Sequence, residues 1–412
     1  MTLRINADRL RGDLNSLSEI GRTPGAGIDR TAFSSADDES RAWYQDRCVQ
    51  AGLQLRLDGL GNMFAGRPSD LAADTPAVWT GSHIDTVPNG GAFDGALGTV
   101  AALECVRRIA ESRLELKRPV RAVVFSDEEG NYGHLLGSMG LRTGYDQTQL
   151  DALTGREGDR LVDALAGWKW ATGSPTATRI EPGSLDSFVE LHIEQGARLE
   201  TEKVQIGVVT SIVGLSGGVA EFIGRADHAG TTPMTMRQDA LLAASSFIVR
   251  LPDIAASVGS SSVITTGRIA VAPGGANVVP ERAEVTLDFR DPDRGRLDDL
   301  ERRIEIAVAA ASTEHGVTAA WHPDGIVDPV PLDDGVRQTI RVAADGLGLT
   351  HVDIPSGAGH DSQNMAHLAP TAMIFVPSRD GRSHSPAEFT DFADVANGAN
   401  VLLATLIALA NR

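Results

Sequence analysis

The order of apolar and polar stretches along the chain predicts an α/β fold. Short apolar runs at 77–83 and 120–125 have the length and composition of strands, and a helical pattern over about 99–112 lies between them. Residues 7–22 and 36–52 also repeat with helical spacing. A strand, loop, helix, strand order of this kind is typical of a largely parallel sheet covered by helices.

The pattern changes in the middle of the chain and resumes near the end. The elements predicted there are a strand at 208–225, a helix at 237–251, strands at 261–272 and 281–290, a helix at 297–314 and a strand at 317–322. This β-α-β-β-α-β order is the ferredoxin-like split arrangement. We therefore expect an α/β domain in two parts, 1–207 and 325–412, interrupted by an inserted α+β domain, 208–324.

Composition narrows the class of partner. The chain has 37 basic and 55 acidic residues, a net charge of -18, which argues against nucleic acid or an anionic membrane as a partner. The longest late apolar run, Val401 to Ala410, suits a buried final helix, so we expect no membrane span. Two cysteines, Cys48 and Cys105, make no disulfide framework. A cytoplasmic protein acting on small molecules is expected.

The first candidate site follows the strand predicted at 77–83. His83 and Asp85 stand two residues apart, so on an extended strand end they face the same way. A metal-bound imidazole usually has a carboxylate on its other ring nitrogen, and Asp85 is placed to provide one. Asp94 lies among glycines, where backbone can approach an ion closely. A glycine-rich turn with incidental polar residues is the alternative, but the three together favour a site.

The second candidate is an acidic triplet. Asp127, Glu128 and Glu129 directly follow the strand predicted at 120–125, where three carboxylates repel one another. A solvated turn would tolerate that repulsion. A cation would compensate it, and a buried carboxylate beside an activated water can serve as a general base. With the first cluster present, a functional role is favoured.

Two further histidines lie near strand ends. His192 alternates with Glu190 and Glu194, so the three share one face of a strand; taken alone, the exposed polar face of an edge strand is the better explanation. His384 lies in a loop after the strand at 373–376, where a solvated histidine is the alternative. Ligands of open α/β sheets bind beyond the carboxyl ends of the strands, which is where such loops lie.

Residues suited to substrate binding lie in other loops. His228 and Asn277 belong to two loops of the inserted segment, and Arg290 follows the strand segment 284–289. An arginine facing a cleft suits a substrate carboxylate, because its planar fork bonds bidentately. The backbone around Gly359 can line a pocket. His134 and the other remaining histidines are assigned no function.

Together these motifs resemble a known family. The chain resembles the dinuclear-metal amidohydrolases related to aminoacylases and zinc carboxypeptidases, and within them the branch of N-carbamoyl-L-amino acid hydrolases, β-ureidopropionases and allantoate amidohydrolases. The resemblance extends over almost the whole chain and rests on seven motifs in order: GSHIDTVPNGGAFDG, DEEG, LHIEQGARLE, ADHAGTTPM, GGANVVP, SGAGHD and SHSP. It implies that the α/β part is a mostly parallel-sheet catalytic domain. The ferredoxin-like insertion would be a lid and dimerisation domain, so a homodimer is expected.

The resemblance also implies a cofactor. Two divalent ions per subunit are expected, Zn or alternatively Mn, Co or Ni. One would be held by His83, Asp94 and His192. The other would be held by Asp94, Glu129 and His384, so that Asp94 bridges the two.

Further roles follow from the same resemblance. Glu128 would be the general base, and Asp85 would orient His83. His228 would assist catalysis as well as bind substrate, reaching across a dimer interface. The implied substrate-binding residues are Gln195, His228, Asn277, Arg290 and Gly359.

The reaction implied is hydrolysis of the ureido C–N bond of an N-carbamoyl-L-amino acid, giving the amino acid, ammonia and carbon dioxide. His192 in place of a carboxylate is typical of the ureido branch and disfavours a peptidase. Allantoate amidohydrolase and β-ureidopropionase are the nearest alternatives, followed by an aminoacylase or dipeptidase and by a non-catalytic binding protein. One departure concerns the substrate: the branch often carries Arg-Phe shortly after the two glutamates, where this chain has Asn131 to His134.

Overall fold

Apolar runs from both ends of the chain assemble into one large sheet. The structure is a computed structural model that describes residues 3–412, so the first two residues of the predicted catalytic segment lie outside the described residues. The sheet belongs to a unit made of residues 1–210 and 331–412, and residues 211–330 form a second unit.

The secondary structure of the described chain is as follows. The strands are β1 (Gln54–Leu57), β2 (Met63–Gly66), β3 (Ala77–His83), β4 (Val120–Phe125), β5 (Leu185–Ile193), β6 (Ile206–Ile212), β7 (Gly214–Ile223), β8 (Asp227–His228), β9 (Val263–Ala272), β10 (Val278–Val279), β11 (Arg282–Asp291), β12 (Thr318–Pro323), β13 (Val330–Pro331), β14 (His351–Ser356) and β15 (Thr371–Val376). The α-helices are α1 (Ala7–Ser18), α2 (Ser35–Gln50), α3 (Pro68–Ala72), α4 (Ala96–Ser112), α5 (Leu136–Thr143), α6 (Gln147–Ala152), α7 (Leu161–Leu165), α8 (Arg198–Glu202), α9 (Ala240–Ile248), α10 (Leu251–Val258), α11 (Arg294–His315), α12 (Asp334–Leu347), α13 (Asp361–Met365) and α14 (Phe392–Ala410).

The sheet of the first unit is parallel at its centre. Its strand order is β1-β2-β4-β3-β5-β15-β6-β13, with β14 paired to β6. Strands β4, β3, β5 and β15 run parallel to one another, and β2 and β6 flank them in antiparallel pairing. The predicted α/β class with a mostly parallel sheet is confirmed. The four parallel strands point their carboxyl ends to one edge of the sheet.

Both faces of this sheet are buried, which explains why its strands are continuous apolar runs. On β4, Val120, Ala122 and Val124 belong to the larger core, which also contains buried side chains of α1, α4, α12 and α14. Val123 and Phe125 belong to a smaller core on the other face, which includes side chains of α5 and α13. Helices therefore cover the sheet on two sides.

Two helical stretches are apolar and long enough to cross a membrane, judged by length and composition alone. They are Ala240–Val258 and Phe392–Ala410, with mean hydropathies of 1.5 and 1.6. The second stretch is α14, which packs on β5 and β15 in the core of the first unit. The first is divided into α9 and α10, which pack on the sheet of the second unit. The second stretch is thus a core helix, and the first covers the sheet of its unit with one face.

The second unit is a four-stranded antiparallel sheet with helices on one face. Its strand order is β12-β7-β11-β9, and α9, α10 and α11 pack against it. Burial alternates strictly along β7 and β11, as expected when one face is covered and the other is not. Apart from the two-residue strands β8 and β10, which pair with each other, the elements follow the β-α-β-β-α-β order that the sequence predicts, with the first helix divided before Pro252.

One predicted strand is wrong. The run at 208–225 is two strands, β6 in the first sheet and β7 in the second, separated at Val213. The apolar and β-branched sequence continues through the break, so it does not reveal that the pairing partner changes. The second unit therefore extends over 211–330 where the sequence suggested 208–324. Its roles as lid and dimerisation domain stay predictions.

Candidate metal centre

Five side chains meet at the carboxyl edge of the parallel strands. His83 is the last residue of β3, and His192 lies next to the end of β5. Glu129 follows β4, and His384 follows β15. Asp94 stands two residues before α4 and is buried. The topology of the sheet thus brings together residues that are far apart in the sequence.

The five divide into two groups that share Asp94. In the first group, Asp94 Oδ1 lies 3.6 Å from Nε2 of His83 and 3.2 Å from Nε2 of His192. In the second, His384 Nε2 lies 3.4 Å from Asp94 Oδ2 and 3.4 Å from Glu129 Oε1. Each group has three donor atoms that lie close enough together to hold one metal ion. The two oxygens of one carboxylate therefore face two different groups.

The donor distances fit a divalent cation. Four ligands at about 2.0–2.1 Å around a tetrahedral ion such as Zn²⁺ are separated from one another by about 3.3–3.4 Å. The four imidazole–carboxylate distances given above are 3.2–3.6 Å, longer than a strong hydrogen bond between charged groups, and all donor atoms of each group lie within 4.8 Å of one another. Imidazole and carboxylate are also ligands that zinc and related ions prefer. The residues present fit divalent metal binding.

The two buried imidazoles are oriented for this role by backbone carbonyls. His83 Nδ1 lies 3.0 Å from the carbonyl oxygen of Asp85, and His192 Nδ1 lies 2.9 Å from that of Ile193. A carbonyl only accepts, so each Nδ1 carries the proton and Nε2 keeps its lone pair. Consistent with this, the backbone N–H of Gly95 donates to Nε2 of His192 at 3.3 Å. Both Nε2 atoms lie on the side of Asp94, and metal-ligating histidines typically donate their other ring N–H to a backbone carbonyl in this way.

Asp85 contacts His83 through its backbone more closely than through its carboxylate. The carboxylate lies 3.7 Å from Nδ1 of His83, farther than the carbonyl oxygen of the same residue. Its oxygens instead accept the backbone N–H groups of Glu128 and Glu129, at 3.4 and 3.1 Å. Asp85 thus connects the segment after β3 to the acidic segment after β4, a function that its spacing in the sequence does not reveal.

The three acidic residues after β4, Asp127, Glu128 and Glu129, make different contacts. Asp127, at φ 53°, turns away and its carboxylate accepts three backbone amides, those of Asn131, Tyr132 and Gly133. Glu128 is buried, and its Oε2 lies 3.6 Å from Nε2 of His83. Asp127 therefore shapes the loop, while the two glutamates are directed towards the histidines.

Burial and mutual repulsion control the charges of these groups. Burial raises the pKa of Glu128 well above its usual range, and the nearby charge of Asp361 adds to that effect. Burial and the charge of Asp94 raise the pKa of Glu129 to about 7. Burial lowers the pKa of His83, but the neighbouring carboxylates of Glu128 and Asp94 outweigh it and raise that pKa well above its usual range. These shifts reflect the close packing of carboxylates and imidazoles at the centre, whose charges a divalent cation would balance.

One glycine allows the close approach of Asp94 to the histidines. Gly95 has φ +62°, a conformation that side chains rarely adopt. A Cβ at this position would lie 2.3–2.4 Å from three atoms of the His83 ring. The glycine that follows Asp94 in the sequence is therefore required by space as well as by backbone conformation.

The strand that carries His192 is not an edge strand. β5 lies between β3 and β15, so the exposed face considered from the sequence alone is wrong. Glu190 on the same strand is buried and accepts hydrogen bonds from the hydroxyls of Ser82 and Ser362, each at 2.7 Å. His360 packs edge-on against His192, with ring centroids 4.6 Å apart. The alternation of apolar and polar residues along a strand does not show whether its polar side chains face solvent or a buried polar site.

Asp94 has hydrogen-bond contacts that the sequence does not predict, although Gln195 itself is among the expected substrate-binding residues. Gln195 Nε2 and Ser383 Oγ each donate to Asp94 Oδ2 at 2.6 Å. Glu388 is buried and accepts the backbone N–H groups of Phe93 and Asp94 through Oε1, at 2.7 and 3.0 Å. Ser383 belongs to the motif around His384, whereas nothing in the local pattern distinguishes Glu388 from a surface glutamate.

His134, to which the sequence assigns no function, contacts the backbone of the proposed base. Its side chain is exposed, and its Nδ1 lies 2.8 Å from the carbonyl oxygen of Glu128. Gly359 lies beside its other ring nitrogen, because a Cβ there would be 3.1 Å from His134 Nε2. The loop of Gly359 and the loop after β4 are therefore neighbours.

In the second unit, the predicted substrate-binding residues His228 and Asn277 lie together, and Arg290 lies on another strand. β8 pairs with β10, which sets His228 opposite Val278 and next to Asn277. The Asn277 carbonyl accepts the N–H of Ala229 at 3.0 Å. Arg290, near the end of β11, donates to the Asp288 carboxylate at 2.9 and 3.3 Å. The structure brings His228 and Asn277 together within their unit.

Comparison with known proteins connects the whole chain to one group of enzymes. The pattern of peptidase family M20/M25/M40 matches residues 79–408. The N-carbamoyl-L-amino-acid amidohydrolase of Paenarthrobacter aurescens is 37% identical over 412 residues, covering 99% of this chain and 100% of that protein. The allantoate amidohydrolase of Escherichia coli (strain K12) is 33% identical over 399 residues, covering 96% of each. A solved amidase of the hydantoinase/carbamoylase family from Burkholderia multivorans superposes with a TM-score of 0.92 at 34% identity, covering 100% of this chain and 99% of that one.

Proposed function

This chain belongs to peptidase family M20/M25/M40, and we propose that it is an amidohydrolase that cleaves the ureido C–N bond of N-carbamoyl-L-amino acids. The products would be the amino acid, ammonia and carbon dioxide. The observation that carries this proposal is the pair of donor groups that share Asp94, with a buried carboxylate, Glu128, beside them. A relative 37% identical over the whole chain, named N-carbamoyl-L-amino-acid amidohydrolase, supports the choice of substrate.

We propose that two divalent ions occupy the centre, Zn²⁺ or alternatively Mn²⁺, Co²⁺ or Ni²⁺. His83, Asp94 and His192 would hold one, and Asp94, Glu129 and His384 would hold the other. When bound, such ions lower the pKa of a water molecule towards neutrality and polarise the carbonyl of the substrate.

Glu128 is proposed as the general base and then the general acid. Its carboxylate is buried, and Oε2 lies 3.6 Å from Nε2 of His83, so it faces the place where the substrate carbonyl would lie. It would take a proton from the attacking water and deliver it to the leaving nitrogen. Asp85, which accepts the backbone N–H groups of Glu128 and Glu129, would keep both glutamates in position.

Gln195 is proposed to bind the substrate through its carbonyl oxygen. Its Nε2 donates to Asp94 Oδ2 at 2.6 Å, which fixes the orientation of the amide. Its Oε1 is buried and has no hydrogen-bond partner among the described residues. A buried acceptor without a partner is unfavourable, and an N–H of the ureido group would satisfy it. The backbone at Gly359, beside His134, would line the same pocket.

The second unit is proposed to bind the substrate carboxylate and to form a homodimer. Arg290 would hold the carboxylate, with Asn277 beside it, and His228 would stabilise the developing oxyanion from across the dimer interface. Strand β9 at the edge of this sheet supports the dimer, since it exposes the apolar side chains of Val263 and Ile269. Closure of this unit as a lid would couple binding to catalysis.

We place the enzyme in the cytoplasm and give it no nucleic-acid or membrane partner. The net charge of -18 supports the second statement, because it opposes association with polyanions. Cys48 and Cys105 are both buried free thiols, which is compatible with a reducing compartment.

A turnover panel tests the substrate class. Purified, metal-loaded protein is assayed for ammonia release from N-carbamoyl-L- and N-carbamoyl-D-amino acids, N-carbamoyl-β-alanine and allantoate, and for amine release from N-acetyl amino acids and dipeptides. The highest kcat/KM is expected for an N-carbamoyl-L-amino acid. Preference for allantoate would favour the activity of the second relative named above. Preference for acyl or peptide substrates would overturn the ureido assignment.

Arg290→Ala is expected to raise KM for carboxylate-bearing substrates by about 10–100-fold, the loss of one charge-assisted hydrogen-bonded pair, with a smaller change in kcat. Arg282→Ala is the matched control: Arg282 is an arginine on the same strand whose guanidinium pairs with Glu221 and Glu284. Steady-state kinetics of both variants give the comparison. Equal KM in Arg290→Ala and the wild type would reject the role of Arg290.

A further inference from the structure

A buried glutamate joins the two loops that carry Asp94 and His384. Glu388 lies four residues after His384, and its Oε1 accepts the backbone N–H groups of Phe93 and Asp94. Its other oxygen, Oε2, lies 2.9 Å from the hydroxyl of Ser383. The carboxylate therefore attaches the loop after β15 to the loop before α4 by two hydrogen bonds, and a third contact holds Ser383 of its own loop.

The packing around this glutamate is specific. Glu388 is 6% exposed, and a Cβ added at Gly91 would lie 2.1 Å from its Cδ and 2.2 Å from its Oε1. Gly91 is itself buried, and its φ lies outside the region that excludes side chains. The missing side chain at residue 91 thus provides the space that the glutamate occupies.

The hydroxyl of Ser383 contacts only one oxygen of the bridging carboxylate, while Glu388 accepts the backbone N–H of Asp94. Ser383, held against Glu388, donates to Asp94 Oδ2 at 2.6 Å. Oδ2 is the oxygen that faces His384, 3.4 Å away, whereas Oδ1 faces His83 and His192. A disturbance of Glu388 or Ser383 would therefore affect one donor group more than the other.

We propose that Glu388 and Ser383 are positioning residues: they fix the position of Asp94 Oδ2 relative to the loop of His384. The ion shared by Asp94, Glu129 and His384 then binds tightly. The inference rests on the proposed two-ion function. Neither residue belongs to either of the two donor groups that share Asp94. Hydrogen-bond partners of metal-ligating carboxylates commonly change metal affinity by about 10–100-fold when they are removed.

The test is the titration of metal-depleted protein with Zn²⁺ alone, followed by calorimetry, with metal content measured after dialysis. The wild type is expected to bind two ions. Glu388→Ala is expected to bind one ion normally and the ion shared by Asp94, Glu129 and His384 about 10–100-fold more weakly. Ser383→Ala is expected to bind that same ion about 10-fold more weakly. Glu388→Gln keeps a carbonyl oxygen for the two amides and is expected to stay within a few-fold of the wild type.

Gly91→Ala gives an independent variant. The added methyl group displaces the carboxylate of Glu388 without removing it, so the same selective loss of one ion is expected. In the double variant Gly91→Ala/Glu388→Ala the space is free, and the two effects should not add. Additive losses would mean that the methyl group and the glutamate act at different places, which contradicts the proposal.

Asp58→Ala is the control for a general loss of stability. Asp58 Oδ1 also accepts two backbone amides, those of Leu60 and Asn62, but it belongs to the turn between β1 and β2. The Asp58→Ala variant should have a lower unfolding temperature and should still bind both ions.

The proposal is supported if Glu388→Ala loses affinity for one ion only and Asp58→Ala keeps its affinity for both. The proposal is overturned if Glu388→Ala binds both ions like the wild type, if both ions weaken equally, or if Glu388→Gln loses as much as Glu388→Ala. A wild type that binds no ion, or that binds two and hydrolyses no ureido compound, would instead refute the proposed function.

Discussion

Glu128→Gln is expected to lower kcat by about 10²–10⁴-fold, the range of general acid–base catalysis, while the protein keeps its metal ions. The amide has nearly the same shape as the carboxyl group but can neither take a proton from water nor deliver one to the leaving nitrogen. Glu128 belongs to neither group that shares Asp94, and its Oε2 lies 3.6 Å from the nearest imidazole nitrogen. KM should therefore change much less than kcat.

The neighbouring Asp127→Asn variant is the control for this experiment. Asp127 is also buried, but its carboxylate accepts the amides of Asn131, Tyr132 and Gly133 and faces away from the histidines. It should reduce stability with a much smaller effect on kcat. Metal content and thermal unfolding are measured for both variants. Turnover by Glu128→Gln within tenfold of the wild type, with both ions present, would assign the base to another residue.

Removing divalent ions with a chelator is expected to abolish turnover and to lower the unfolding temperature, and added Zn²⁺, Mn²⁺, Co²⁺ or Ni²⁺ should restore both. The centre holds the carboxylates of Asp94, Glu128 and Glu129 within a buried volume, where their charges oppose one another. A ligand that binds only the folded state stabilises it by about 4 kcal/mol at a thousand times its Kd.

The Asp94→Asn variant measures how much the shared carboxylate of Asp94 contributes to metal binding, separately from the other ligands. The amide removes the negative charge shared by both groups, so both ions should bind more weakly and chelation should shift the unfolding temperature less than in the wild type. Elemental analysis after dialysis and thermal unfolding with and without chelator give the comparison. Full turnover of metal-free wild-type protein, or an equal chelator shift in both proteins, would contradict the two-ion centre.

The strands and the order of elements were largely predictable because their signals are local. The run that ends at His83 and the run before Asp127 are buried on both faces, so each is a continuous apolar stretch bounded by polar residues. The second unit has the predicted element order because its strands bury one face and alternate. The exception is the boundary between β6 and β7, which the sequence pattern does not reveal. Both strands are apolar, and they are separate only because they pair with strands of two different sheets.

The ligand set depends on a different kind of information. Four of the five residues could be placed at strand ends from the sequence, but their division into two groups came from the family resemblance. The roles of Glu388 and Ser383 could not be predicted, because they depend on the contact between two loops about 290 residues apart in the chain. The buried position of Glu190 had no signal either, since only the sheet order makes β5 a central strand.

The position of β15 has a consequence for how the chain folds as it is made. β15 lies between β5 and β6 in the finished sheet, yet it is synthesised after the whole of the second unit. At usual elongation rates of about 5–20 residues per second, the apolar edge of β5 would wait roughly 10–40 s for its neighbour. The second unit, whose strands are contiguous in sequence, can fold during that interval. His384 follows β15, so the nascent chain can complete its metal-binding centre only after the whole of the second unit and β15 have been made.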